Sequence, residues 1–137
     1  MTSTGNSSKS AAETGAGAKS VDTNDQIVQY ILVRGDLNWG QGAIIAQACH
    51  ASIASIVSSM NDESTQKYLA DLKNMHKIVL KADSLDDMKR CESKLKEAQI
   101  SHHMWIEEPE KVMSCLAVSP QPRSIVQSIF RHMKLLR

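Results

Sequence analysis

Aromatic side chains make up only 4% of this 137-residue chain, so its core has to be built from aliphatic residues. No apolar run reaches the length that crosses a bilayer, and residues 1–25 lack the apolar centre of a secretory signal. A mitochondrial presequence is not expected either: the same stretch holds no arginine and contains Glu13, Asp22 and Asp25. Cysteine is scarce and dispersed. Cys49, Cys91 and Cys115 form no Cys-x-x-Cys pair and are odd in number, which argues against a disulfide framework and for reduced thiols in the cytoplasm. A zinc site from Cys49, His50, His102 and His103 would have no recognised spacing, and no metal or other cofactor is expected. Net charge is only +1, or +2 without the first 25 residues, which leaves 14 of 16 basic and 12 of 15 acidic residues. Bulk charge therefore does not mark a nucleic-acid binder.

What the chain does have is aliphatic material for one well-filled domain, with 42% hydrophobic residues. Residues 1–25 are rich in Ser, Thr, Gly and Ala and read as a disordered tail, leaving residues 26–137 as the domain. Ile27-Val-Gln-Tyr-Ile-Leu-Val33 is an almost continuous β-branched and apolar run, suited to a strand covered on both faces. A helix follows. Asn38 with Gln41 three residues on reads as a capping box, and Gly40 and Gly42 in the first turn leave free N–H groups open to a phosphate or an oxyanion. Along this helix Ile44, Ile45, Ala48, Cys49, Ser52, Ile53 and Ile56 fill a wide apolar arc, expected to face the core. Gln47 and His50 fall one turn apart beside it.

Downstream, Ser64–Lys73 reads as a short amphipathic helix with Tyr68, Leu69 and Leu72 inward, and Met75–Lys81 as a second strand. Ser84 with Asp87 forms another capping box, opening a helix through about Ala98. His102–Ile106 and Val112–Val118 read as third and fourth strands, with Pro109 in a short antiparallel connection. A last helix is expected from Pro122 to about Met133. Strands alternating with helices predict a three-layer α/β/α domain with a mixed sheet of about four strands.

The order strand, Arg34-x-Asp36-Leu37, Gly40-x-Gly42, Ala46-Gln47-x-x-His50-Ala51 resembles the second, archaeal and eukaryotic, class of peptidyl-tRNA hydrolases. Lys77-Ile-Val-Leu-Lys81, Asp83-Ser-Leu-Asp-Asp87, Trp105-Ile-Glu-Glu108 and Cys115-Leu-Ala-Val-Ser-Pro120 keep that order, so the resemblance spans about residues 26–137. Trp39, the run Ala46–Ala51 and Trp105-Ile-Glu-Glu-Pro-Glu110 are most similar to the divergent branch called peptidyl-tRNA hydrolase domain-containing protein. Typical members carry Gly-Lys-Gly-Lys where this chain has Gly40-Gln41-Gly42-Ala43, so the lysine assigned to catalysis is absent. They also carry a longer loop with an aspartate after the third strand; here Glu108 is nearest its position.

The resemblance implies hydrolysis of the ester between a peptide and the tRNA 3′ end, with peptidyl-tRNA or tRNA as partner. That reaction needs a positioned water, a base and donors aimed at the developing oxyanion. Candidate catalytic residues are His50, Gln47 and Glu108. Candidate substrate-binding residues are Asn38, Gly40, Gln41, Gly42 and Trp105, the last either stacking on the terminal adenosine or sitting in the core. Loss of a charged donor costs roughly 100-fold or more, at ~3 kcal/mol per enclosed donor, which predicts slow turnover. The alternative is a binding module for tRNA, peptidyl groups or a protein partner that kept the fold without the chemistry. Arg123, Arg131, His132, Lys134 and Arg137, with Lys73, His76 and Lys77, would form a phosphate track if they meet in space, and otherwise a solvated face.

Overall fold

In the computed structural model, residues 25–137 are described. The expected tail therefore lies outside the described residues except for Asp25, whose carboxylate accepts hydrogen bonds from the backbone N–H and hydroxyl of Ser124. The elements run β1 (Ile27–Arg34), α1 (Gln41–Ser58), α2 (Glu63–Ala70), β2 (Lys77–Ala82), α3 (Leu85–Glu97), β3 (His102–Glu107), β4 (Val112–Val118), β5 (Gln121–Pro122), α4 (Arg123–Val126) and β6 (Lys134–Leu135). They form a mixed six-stranded sheet in the order β3-β4-β1-β2-β6, with β5 paired to β1. β1 and β2 are parallel, and the remaining pairs are antiparallel. The sheet is wider than the four strands expected because two short terminal segments, β5 and β6, join it.

Strand alternation distributes β1 between two cores. Val28, Tyr30 and Leu32 face one side, with Met88, Cys91 and Leu95 of α3 and Val126 and Phe130 from the C-terminal region. Tyr30 stacks on Phe130 at 5.1 Å between centroids. Ile31 and Val33 face the other side with Ala51 of α1 and Cys115 and Ala117 of β4. These are the three layers.

The Ser84 hydroxyl accepts from the Asp87 backbone N–H at 3.2 Å, so the expected cap of α3 forms. The cap of α1 does not. Asn38 adopts a left-handed conformation (φ 55°), which asparagine tolerates in loops. The helix then starts beyond Asn38's reach, with Gly40 as an N-cap that supplies no side-chain bond.

The inward face of α1 also differs from expectation. Gln47, Ala51, Ser52 and Ser55 are buried, while Ile45 and Ile53 are 55% and 64% exposed. The cause lies in β1: Gln29 points from the strand toward the helix. It accepts the Ser52 hydroxyl at 2.7 Å, and its amide donates to the Ser52 carbonyl at 3.3 Å. A polar strand residue thus selects the small, polar side of the helix.

In α2, Tyr68 is buried as expected, but Leu72 lies beyond the helix in a single 3-10 turn and is 62% exposed. The expected C-terminal helix ends after four residues. The chain turns so that Lys134–Leu135 can pair with β2, covering an edge that would otherwise be unpaired.

Candidate functional site

The site is built where α1 crosses β3 and β4. Trp105 pairs with Cys115 but Ile106 pairs with Met113, so Ser114 is an extra residue in β4, a β-bulge. The bulge turns Ser114 to the α1 side of the sheet, where its hydroxyl donates to Gln47 Oε1 at 2.5 Å. Both residues are buried. With its oxygen held, the Gln47 amide presents its NH2 group to Glu107, one of the causes of that carboxyl's lowered pKa.

On β3, alternation puts Trp105 and Glu107 on one face, and the indole Nε1 donates to Glu107 Oε2 at 2.9 Å. This bond is the main cause holding the Glu107 carboxyl below the ordinary glutamate range, followed by Gln47 and by the nearby His50. The His50 ring lies on the Trp105 indole, with centroids 4.5 Å apart and planes 20° from parallel. His50 itself is exposed. An open groove continues from this stack, lined by His50, Ile53, Val57, His103 and Trp105.

Of the residues singled out in the sequence, Gln47, His50 and Trp105 come together. Glu108 does not join them. It sits in the β3–β4 turn, exposed, with Lys111 at 3.7 Å as its charged neighbour, while Glu107 takes the place beside His50. Ordinary strand alternation from Trp105 was the signal that points to Glu107; no pattern marked Ser114. Asn38, Gly40, Gln41 and Gly42 are all exposed around the start of α1. A Cβ placed on Gly40 or Gly42 would meet nothing within 4 Å, so the helix end opens onto free space.

Arg34 closes the end of β1 over this region. Its Nε and Nη2 donate to the two Asp36 carboxylate oxygens at 3.0 and 2.8 Å, and Nη1 donates to the Met113 carbonyl at 3.2 Å. The paired hydrogen bonds raise the Arg34 pKa and lower that of Asp36. The Arg-x-Asp spacing thus braces β1 against β4 just below the bulge.

The basic residues only partly assemble. Lys134 and Arg137 come together with Lys81, whose chain passes over Gly35 where a Cβ would stand 2.5 Å from its Cγ and Cδ. Lys77 is drawn away from them, to Gln29 and Tyr68. Among the described residues no group of three or more His, Cys, Asp or Glu side chains converges to hold a metal ion. His102 and His103 point apart: His102 contacts Glu92 and the Ile100 carbonyl, and His103 approaches Trp105.

Comparison with known proteins identifies the family. The family model described as Peptidyl-tRNA hydrolase PTH2 matches residues 27–136. Human PTRHD1, provisionally named a peptidyl-tRNA hydrolase, is 34% identical over 116 residues, covering 81% of this chain and 83% of its own. The peptidyl-tRNA hydrolase of Methanothermobacter thermautotrophicus is 34% identical over 113 residues, covering 79% of this chain and 98% of its own. That of Saccharolobus solfataricus is 30% identical over 120 residues, covering 80% and 99%. The continuous match from β1 to the last strand shows that this chain belongs to the PTH2 family of peptidyl-tRNA hydrolases.

Proposed function

We propose that this protein hydrolyses the ester joining a peptide to the terminal ribose of tRNA, freeing the tRNA for reuse. The carrying observation is the exposed His50 imidazole stacked on Trp105, next to the Glu107 carboxylate and the Ser114-held Gln47. Imidazole is the side-chain base suited to proton transfer near neutral pH. In this reading His50 takes a proton from water as its oxygen attacks the ester carbonyl. It returns that proton to the departing ribose oxygen, leaving a free terminal hydroxyl and a peptide carboxylic acid that ionises by losing its proton to solvent. The Gln47 amide and the open N–H groups at Gly40, Gln41 and Gly42 supply donors for the developing oxyanion. Glu107 stands beside His50 where Glu108 was expected as a base, and instead orients the site through Trp105 and Gln47. Its lowered pKa suits an ionised orienting group better than a proton acceptor. Asn38 and Trp105 border the place where the tRNA end would lie.

The test is release of peptide from purified N-acetyl-aminoacyl-tRNA by the full chain. His50→Ala is expected to lower turnover roughly 100-fold or more, the scale of a lost general base. Gln47→Ala is expected to lower it by a similar factor, as for an oxyanion donor.

A second reading rests on Gln41. It is exposed at the helix start and uncharged, where typical members of the class carry lysine, and this favours a module that binds tRNA or peptidyl groups without cleaving them. No peptide release by the wild type, with tRNA binding retained, would select it and overturn the hydrolase.

A further inference from the structure

A second open groove lies away from the His50 site. It lies on the flank of α1 toward β2 and offers about 470 Å³, within the range of small-molecule pockets. Ile31 and Val79 supply its floor, Ile44, Ala48 and Ile53 one wall, and Leu136 the other. Its helix wall carries no Asp, Glu, Lys or Arg along all 18 residues of α1. The polar face of that wall is already engaged, because Ser52 is committed to Gln29 through both its hydroxyl and its carbonyl.

One charge reaches the groove, that of Lys77. Its Nζ donates to Gln29 Oε1 at 2.6 Å and to the Tyr68 hydroxyl at 3.1 Å, and lies 5.1 Å from the Tyr68 ring centroid. Desolvation there lowers its pKa. An ammonium has three donors; two are used, and among the described residues no carboxylate lies within ion-pair distance of it. An open apolar groove bordered by one exposed lysine that has no carboxylate partner suits one negative charge on an apolar body.

We propose that this groove binds a small amphipathic monocarboxylate, its unbranched apolar chain lying along Ile31, Val79 and Ile53 and its carboxylate resting on Lys77. A multiply charged phosphate would need more donors than one ammonium supplies. A peptide with a free C-terminus shares the carboxylate but would bury amide groups for which the lining holds no free partners.

Decanoate is the probe, titrated into the full chain and followed by calorimetry and amide NMR shifts. Decanol lacks the charge, acetate lacks the chain, and N-acetyl-leucyl-leucine carries the same carboxylate on a peptide. Decanoate is expected to bind saturably, at least ten-fold more tightly than the other three. Lys77→Gln is expected to weaken decanoate at least ten-fold and leave decanol unchanged. Ile53→Asp, at a side chain exposed enough for the fold to tolerate it, is expected to abolish decanoate binding by placing a like charge on the wall; this reading stands if Lys77→Gln fails to fold. Absence of saturable decanoate binding, equal affinity for decanol, indifference to both substitutions, or preference for the peptide would each overturn the assignment.

Discussion

Ser114 donates its hydroxyl hydrogen to the amide oxygen of Gln47 across the α1–β4 interface at 2.5 Å, and a β-bulge is what turns it there. In regular pairing Ser114 would face away from its neighbour Cys115, which is buried on the α1 side. The bulge therefore fixes which end of the Gln47 amide points at Glu107. Ser114→Ala leaves the Gln47 oxygen buried without its partner, at a cost of about 1–3 kcal/mol. It also frees the amide to rotate. Peptide release is expected to fall about ten-fold alongside a lower urea midpoint; a variant as active and as stable as wild type would show that the bond positions nothing.

Glu107 and Glu108 are adjacent but have different surroundings, so their glutamine variants should behave differently. Glu107→Gln removes the negative charge beside His50 and leaves one amide oxygen where two carboxylate oxygens serve the Trp105 indole and the Gln47 amide; Glu108→Gln removes only an exposed contact with Lys111. Peptide release is expected to drop at least ten-fold in the first and stay near wild type in the second. The hydrogen bonds hold the Glu107 carboxyl below its unfolded value of ~4.3. Its contribution to stability is then complete above that value and lost as pH falls through the lowered one. The difference in urea midpoint between wild type and Glu107→Gln should therefore hold steady from neutrality to mild acid and vanish in stronger acid. A difference that grew on acidification would contradict this.

The sheet was legible wherever a local pattern agreed with the tertiary one. The run Ile27–Val33 reads as a doubly covered strand because both its faces are buried, Ser84 caps α3 by a local bond, and β4 occupies Val112–Val118 as expected. What stayed hidden depended on partners distant in sequence. The inward face of α1 follows from Gln29, 23 residues before Ser52, and hydrophobicity alone favours the arc containing Ile45 and Ile53. β6 exists because β2 offers an edge, and no two-residue strand has a pattern of its own. In the candidate site, the adjacency of Gln47 and His50 was visible from helical spacing. Ser114 was not, because a bulge is set by the pairing of two strands and leaves no signature in either.

The three cysteines should separate by reactivity. Cys49 is exposed on α1, while Cys91 and Cys115 are buried. Burial raises the Cys91 thiol pKa and pushes that of Cys115 up to about 12, and the thiolate is the reactive form. Ellman's reagent at neutral pH is expected to find one fast thiol in the native protein, all three after unfolding in guanidinium, and no fast thiol in native Cys49→Ser. Two fast equivalents in the native wild type would contradict the buried placement of Cys91 or Cys115.

Two serines one turn apart on α1 should respond to alanine with opposite signs. Ser52 donates its hydroxyl to Gln29 at 2.7 Å and is part of what turns this face of the helix inward. Ser55 is fully buried, and among the described residues its hydroxyl has no hydrogen-bond partner. A buried hydroxyl left unpaired costs about 1–3 kcal/mol, and alanine is also the better helix former by a few tenths of a kcal/mol. Ser55→Ala is therefore expected to raise the unfolding free energy by about 1 kcal/mol, read from urea melts. Ser52→Ala is expected to lower it by a similar amount, because Gln29 loses a donor that nothing on the helix replaces. Peptide release should be unchanged in Ser55→Ala, whose side chain does not reach the His50 cluster. If both variants were destabilised alike, Ser55 would have to be bonded after all, and the contrast between the two positions would be lost.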